Sequence, residues 1–459
     1  MMPTDPAAMD RFMFEAPAGR LLWRLSLPIY LSSLFWVVYT LTDIYWISRI
    51  DPDDPSIVAG VSLIIPIYML AYALSNGLLI GVKSLVARAV GANDAEVLKR
   101  VAAAGMVLAV VAAASFLGLG YGYADSIVQG LGATGALFPH ARDFLIYVLP
   151  ATALLFTFNV LSGIAQGEGR MQAVMHSMGI GVGLNLVLDP IFILGLGMGV
   201  KGAALATCIA QAISLLWLVL VFVRGGMRVP LQLHPSKVSR AAMARILKVG
   251  LPQGLAEILV AVYLFGVNGL VVRIDPVAMT AFGLCARVDQ LLLLTVAALS
   301  AAVLTATAQN AARGEYIRVR HIQRVAMTGG AGLVFAQALL LIALAPVIYA
   351  LMSDSAAVVD YAVMQTRWVN PFYAFAVPTL VVHAFFLAVG QPWPAVAIQF
   401  AKMFIVALPL MWGLHTELDW EMPAVWLGII ASEVTAALAA WVWWLRCQSA
   451  LEQGRLAVL

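Results

Sequence analysis

Residues 202–223 read GAALATCIAQAISLLWLVLVFV. These 22 residues carry no charge, and Arg224 closes the run. About 20 apolar residues are what a helix needs to cross the hydrocarbon core of a bilayer. Eleven similar runs recur along the chain, near 21–48, 56–82, 100–122, 144–166, 172–197, 246–272, 278–305, 322–351, 362–389, 394–414 and 422–445. The strands of a membrane barrel would be shorter and would alternate, so each run is read as a helix. Composition agrees: 62% of residues are hydrophobic and 11% charged, against about 45–50% and about 25% in soluble domains. Mean hydropathy is +0.93. No long polar stretch is left over for a soluble domain. The expected fold class is an all-α polytopic membrane protein with twelve transmembrane helices.

Charge distribution gives an orientation. Lys83, Arg88, Lys99 and Arg100 are placed after the second span, Arg170 after the fourth, and Arg313, Arg318, Arg320 and Arg324 after the eighth. Arg224, Arg228, Lys237, Arg240, Arg245 and Lys248 follow the sixth. The alternate loops are sparse or acidic, with Asp51, Asp53 and Asp54 in one and Glu417, Asp419 and Glu421 in another. Under the positive-inside rule, the even loops and both termini are expected to be cytoplasmic, in a cell's cytoplasmic (inner or plasma) membrane. Residues 1–20 lack the form of a cleavable signal, so the first span is expected to stay in place. Cys208, Cys285 and Cys447 have neither metal-ligand nor disulfide spacing and read as packed free thiols.

One six-helix unit is used twice. Ala87–Asp94 ends the second span much as Thr307–Glu315 ends the eighth, and aligning Asp94 with Glu315 gives an offset of 221. The same offset sets Gly169 on Gly390 and Ala203-Ala204-Leu205 on Ala424-Val425-Trp426, while Leu27-Pro28 and Leu251-Pro252 match within a few residues. Six helices per copy make the repeats parallel, with the substrate route between them. The expected organisation is a first lobe over 1–224, a basic cytoplasmic linker over 225–245 with Gly225, Gly226, Pro230 and Pro235, and a second lobe over 246–459.

Within these spans acids are few. Asp189 sits in the apolar run from Leu184 to Ile191, where a carboxylate costs about 2.5–3.5 kcal/mol on insertion scales and is kept for a partner, an ion or a proton. Asn185 and Asp189 are four apart and share a helical face, as do Tyr39 and Asp43. With the Thr207 hydroxyl they offer the oxygen ligands a hard cation such as Na+ takes, by extension from Ca2+ and Mg2+. Two neighbouring carboxylates in low dielectric cannot both ionise easily, so the same cluster can hold a proton. The residues leave H+ and Na+ both open. Against this stand plainer readings: Asp189 as the acid of a proline kink, Asp43 solvated near the outer end of its span, and Asn185, Tyr39 and Thr207 as packing residues. Glu257 is a candidate contact for a cationic substrate, and Glu433 and Lys402 are further charges within spans. Arg287 and Asp289 are expected to pair with each other or with neighbours such as Gln290. His176 and His383 read as hydrogen-bonded packing.

Several of these segments together resemble the multidrug and toxic compound extrusion (MATE) family. Leu41-Thr42-Asp43-Ile44-Tyr45-Trp46-Ile47-Ser48 is similar to the family's V-D-T-x-(F/W) segment, and Asn185–Pro190 to its N-x-x-L-D-P. Val200–Thr207 resembles its G-x-x-G-A-A-x-A-T, Ala286–Asp289 its x-R-x-E, and Gln309-Asn310 its Q-N. The resemblance spans nearly the whole chain, and Ser75-Asn76-Gly77 through Arg88 looks more like the DNA-damage-inducible and archaeal branch. It implies a V-shaped, two-lobe exporter working by cation-coupled antiport, with an H+ or Na+ cluster in the first lobe at Tyr39, Asp43, Asn185, Asp189 and Thr207. Na+ would lie at Asp43, Asn185, Asp189 and Thr207. Where many members have Asn in the fourth span this chain has Ser162, and Asn159 one turn earlier is placed to supply the amide. The family also suggests Pro28 as a bending point of the first span.

The expected function is secondary antiport of small amphipathic, often cationic organic compounds against H+ or Na+, with no other cofactor. The alternative is a flippase for a lipid-linked sugar or lipid. A pyrophosphate cavity should be basic, and only Arg287 and Lys402 lie well inside spans. An enzyme is not expected, since it would need clustered catalytic groups and no Asp-rich motif or paired His occurs. No Gly-x-x-x-x-Gly-Lys-Ser/Thr loop occurs, so ATP is not expected as a direct drive. Expected partners are the organic substrate and the bilayer, not nucleic acid. Oligomeric state stays open, a monomer being compatible with the sequence.

Overall fold

The computed structural model describes residues 6–51, 54–229 and 239–452. Asp53, together with Pro230, Pro235 and Lys237 of the expected linker, lies outside the described residues. The helices are α1 (Pro6–Glu15), α2 (Ala18–Ile47), α3 (Pro55–Leu63), α4 (Ile65–Gly91), α5 (Ala95–Gly122), α6 (Ala124–Gly130), α7 (Leu137–Gly167), α8 (Met171–Pro190) and α9 (Gly199–Val223). They continue with α10 (Arg240–Ile274), α11 (Pro276–Ala312), α12 (Tyr316–Met352), α13 (Ala356–Val369), α14 (Ala376–Ala388), α15 (Trp393–Phe400), α16 (Leu408–Leu418) and α17 (Met422–Glu452). A π turn follows α8 over Ile191–Gly195, a 3-10 segment joins α13 to α14 over Asn370–Phe375, and a π segment joins α15 to α16 over Ala401–Ala407. Twelve helical stretches among the described residues are long and apolar enough to cross a membrane, from Ala18–Ile47 to Met422–Gln448. They overlie the twelve runs read from the sequence and extend several of them.

One extension corrects the loop charges. Lys83 and Arg88 are not in a loop: α4 continues to Gly91, and both side chains are buried. Lys83 Nζ donates to Gln166 Oε1 of α7 at 2.9 Å. Arg88 turns back onto Ser84 O and Oγ of its own helix. The connection after α4 is therefore short, with Asp94 capping α5 by accepting from the N–H groups of Glu96 and Val97.

The repeat shows in backbone detail. Asp94 N–H bonds Ala89 O, and Glu315 N–H bonds Asn310 O, both pairs 221 apart. Arg170 N–H bonds Ala165 O, and Gln391 N–H bonds Phe386 O, again 221 apart. These are helix-ending bonds that need a left-handed residue just before the donor. Gly169 and Gly390 supply it with φ of 86° and 79°, Gly314 with 83°, and at the equivalent place Asn93 adopts 53°.

The described residues form two compact units. The first takes in 6–10 and 27–254, the second 11–26 and 255–452. The first turns of α10, through Gly254, thus belong with the first unit, past the lobe boundary expected at 246, and 11–26 group with the second. Glycine explains the packing there: a Cβ on Gly77 would lie 2.5 Å from Gly250 O, and one on Gly250 2.6 Å from Gly77 O. Small residues let membrane helices approach backbone to backbone. The core of this unit gathers Val82, Val86, Val101, Phe156, Val160 and Ile246 from α4, α5, α7 and α10. The start of the expected linker is held down in the same unit. Glu168, buried at the end of α7, accepts from the N–H groups of Arg228 (2.8 Å) and Val229 (3.2 Å). Burial pushes the Glu168 carboxyl up, and these two bonds favour its charged form. Arg228 also pairs with Asp10 of α1.

Candidate functional site

Three helices of the first unit bring the expected residues together. On α2, Tyr39 and Asp43 lie one turn apart on one face. On α8, Asn185 and Asp189 do the same just before Pro190 ends the regular helix, and both are fully buried. Thr207 comes from the second turn of α9 and is 4% exposed. Asn185 Nδ2 donates to Asp189 Oδ1 at 3.0 Å. Tyr39 Oη and Thr207 Oγ1 are 3.1 Å apart. Asp43 lies within hydrogen-bonding reach of Tyr39, Asn185 and Asp189. It is therefore not the solvated outer residue of the plainer reading.

The chemistry follows from what is left over. Asp43 Oδ1, Asn185 Oδ1 and Asp189 Oδ2 are buried and accept no hydrogen bond. Two facing carboxylates have only acceptors, so one shared proton would give the pair the donor it lacks. The same unpartnered oxygens, with the Thr207 and Tyr39 hydroxyls beside them, also suit a hard monovalent cation. Among the described residues no group of three or more His, Cys, Asp or Glu side chains comes together as a metal site. Two carboxylates match a proton or one alkali ion better than a divalent metal.

Asn159 and Ser162 make no hydrogen bond to the cluster residues. Asn159 Nδ2 donates to Ser75 Oγ of α4 at 2.9 Å, so its amide serves the α4–α7 interface. Ser162 Oγ is buried without a partner. Pro28 is buried inside α2, where Ser32 Oγ donates to its carbonyl at 2.8 Å. Glu257 is half-buried on α10 in the second unit, apart from the cluster's own unit.

Two further groups flank the cluster. Tyr68 of α4 lies beside Asp43 and Gln211 of α9. Trp36 of α2 stacks on Tyr68 and Tyr72, with ring centroids 6.1 and 6.2 Å apart. The signal was present, since Gln211 is one turn from Thr207 and Tyr72 one turn from Tyr68. Next to the cluster opens a cavity of roughly 550 Å3 including its mouth, lined by Trp36, Tyr39, Phe158, Met178, Asn185 and Gln211 among others.

In the second unit, Asp289 does not pair with Arg287. Residues two apart point to different sides of a helix. Asp289 is buried and accepts from Tyr373 Oη at 3.2 Å, whereas Arg287 is exposed. Lys402 instead pairs with Glu433, Nζ to Oε1 at 2.5 Å.

Among the described residues, twelve helical stretches apolar and long enough to span a bilayer, arranged as two copies of a six-helix unit, define an integral membrane protein. The MatE family model matches residues 28–191 and 252–412, and the chain belongs to that family. The multidrug export protein MepA of Staphylococcus haemolyticus (strain JCSC1435) is 29% identical over 301 residues, 64% of this chain and 65% of that protein. The chain thus matches just under two thirds of that relative's length. Over 96% of this chain and 99% of the other, the MATE transporter ClbM in complex with Rb+ is 30% identical, with a TM-score of 0.85. A multidrug resistance MATE family transporter in an outward-facing conformation shares the fold at a TM-score of 0.90 and 24% identity, over 96% of this chain and 98% of the other. These relatives are transporters and exporters, none an enzyme.

Proposed function

We propose that the protein is a secondary antiporter that exports small amphipathic, often cationic organic compounds in exchange for H+ or Na+. The observation that carries the reading is the Asp43–Asp189 pair, with buried oxygens that no protein donor satisfies. A charge held at such a cost inside a membrane bundle is kept for an ion or proton to occupy it in turn. The adjoining aromatic cavity fits an amphipathic guest. The relatives support the direction: one is a multidrug export protein and another was captured with an alkali ion. No other cofactor is called for, and the monomer holds the whole cluster. Transport in proteoliposomes, with proton and sodium gradients imposed separately, tests this. Export driven by one of the two gradients is expected. Export indifferent to both would refute antiport.

Ion and substrate should compete. A ligand shifts an equilibrium only through differential affinity, and linkage makes the effect reciprocal. A cationic substrate is therefore expected to bind the purified protein less tightly as pH falls or as Na+ rises. Asp189→Asn should flatten that dependence, whereas Glu257→Gln should lower cation affinity at every pH. Equal dependence in wild type and Asp189→Asn, measured by fluorescence titration, would leave the aspartate without a coupling role.

The orientation proposed has both termini, the even loops and the 225–245 linker on the cytoplasmic face of the cytoplasmic membrane, between lobes over 1–224 and 246–459. Cysteines introduced at Asp354 or Glu417 should label from outside, and one at Gly314 should not. Replacing Arg313, Arg318, Arg320 and Arg324 together with Ser should blur that pattern around α11 and α12. The reverse labelling in the wild type would invert the topology.

A further inference from the structure

The second unit carries a polar stripe that the ion cluster does not use. Along α11, Thr280, Gly283, Arg287 and Gln290 recur at three- and four-residue steps and so share one face. Thr280, Arg287 and Gln290 are exposed, while the opposite face, with Ala281, Cys285, Val288, Asp289 and Leu292, is buried. Exposed faces that suit lipid look different in this unit. On α12 they are Leu333, Phe335, Leu339, Leu340, Leu344 and Val347.

Arg287 is also deep. At 1.5 Å per residue it lies about 18 Å along the helix from the capping Asp275 and about 39 Å from Arg313 at the other end. A guanidinium at that depth is costly against lipid, and such residues face a bundle interior or a water-filled cavity. Arg287 makes no hydrogen bond, ion pair or ring contact with any described residue. Its only near acid in sequence, Asp289, is turned away and engaged by Tyr373. An exposed, always-charged fork a third of the way along a membrane helix, with no ion-pair partner among the described residues, is a group that takes a carboxylate or phosphate by two parallel bonds.

We propose that Arg287, with Gln290 and Thr280 on the same stripe, binds an anionic head group of an amphiphile passing along the second unit. Zwitterionic and acidic amphiphiles are then guests as well as cations. This rests on the exporter reading above and narrows its substrate class. The head group can belong to an exported compound or to a bilayer lipid, since both present the same oxygens.

The test uses two fluorescent probes of one size: dansylglycine, which ends in a carboxylate, and the dansyl derivative of ethylenediamine, which ends in an amine. Affinities are measured on the full chain in phosphatidylcholine nanodiscs. Arg287→Gln should weaken dansylglycine about tenfold, the scale of a lost charged hydrogen bond, and should strengthen the amine probe by relieving repulsion. Arg287→Lys, which keeps the charge and loses the fork, should fall between. Equal loss of both probes, or an unchanged ratio between them, overturns the proposal. Wild type that binds neither probe takes down the exporter reading and this one together, whereas wild type that binds the amine probe with no Arg287 effect takes down this one alone. Adding phosphatidylglycerol to the nanodiscs separates the sources. Competition that Arg287→Gln abolishes assigns the stripe to lipid head groups, and absence of competition assigns it to exported compounds.

Discussion

Asp189→Asn is expected to abolish coupled export while leaving the protein folded and inserted. The two side chains have the same shape, and Asn185 Nδ2, which donates to Asp189 Oδ1 at 3.0 Å, keeps a carbonyl oxygen to bond. Removing the carboxylate also removes a burial cost of about 2.5–3.5 kcal/mol, so stability should hold or rise. What is lost is the ability to bind and release a proton or ion in step with the substrate. Asp43→Asn should act in the same way, because Asp43 faces Asp189 and Asn185 directly. Since the two acids form one site, the double variant should be no worse than either single one, a non-additivity expected of residues in contact. Efflux assays at matched expression, with thermal unfolding in detergent as the control for folding, decide this. Normal efflux in Asp189→Asn, or two partial and additive losses, would mean that the acids do not work as a unit.

Much of this architecture was legible because the membrane imposes it. Uncharged runs such as 202–223 leave no choice but a spanning helix, and Asp189 stands out because a carboxylate inside such a run is expensive. The repeat was readable from Asp94 and Glu315 because helix ends need special residues. The left-handed Gly169 and Gly390 are the same requirement met twice. Helical periodicity placed Tyr39 beside Asp43 and Asn185 beside Asp189, since four residues make about one turn. Periodicity cannot say which faces of different helices meet. That is why Asn159 reads as a candidate cluster amide although it bonds Ser75 across α4 and α7. Tyr68, far from Asp43 in sequence, went unnoticed for the same reason. Lys83 reads as a loop cation in the sequence because hydropathy falls at a lysine. The helix runs on, and the ammonium is held by Gln166 from another helix.

Lys402 and Glu433 give the second large effect. They sit 31 residues apart, on the π segment Ala401–Ala407 and on α17, with side chains 15% and 6% exposed. The sequence showed two isolated charges in separate spans and no reason to join them. Burial supplies the reason, because neither charge could remain alone in an apolar bundle. Lys402→Met should therefore destabilise the protein by about 3–5 kcal/mol, since it leaves the Glu433 carboxylate buried and uncompensated. Glu433 Oε2 already accepts no hydrogen bond, so no other donor is in place to take over. Replacing both partners, as Lys402→Met with Glu433→Leu, should recover most of that loss, because an apolar pair avoids the desolvation of two ions. Thermal unfolding of the purified variants measures the cycle, and efflux is measured on the same proteins. If the single variant is as stable as wild type, the pair is not holding α17. A double variant as weak as the single one would show that the missing charge was not the cause. A stable double variant without efflux would give the pair a part in transport beyond packing.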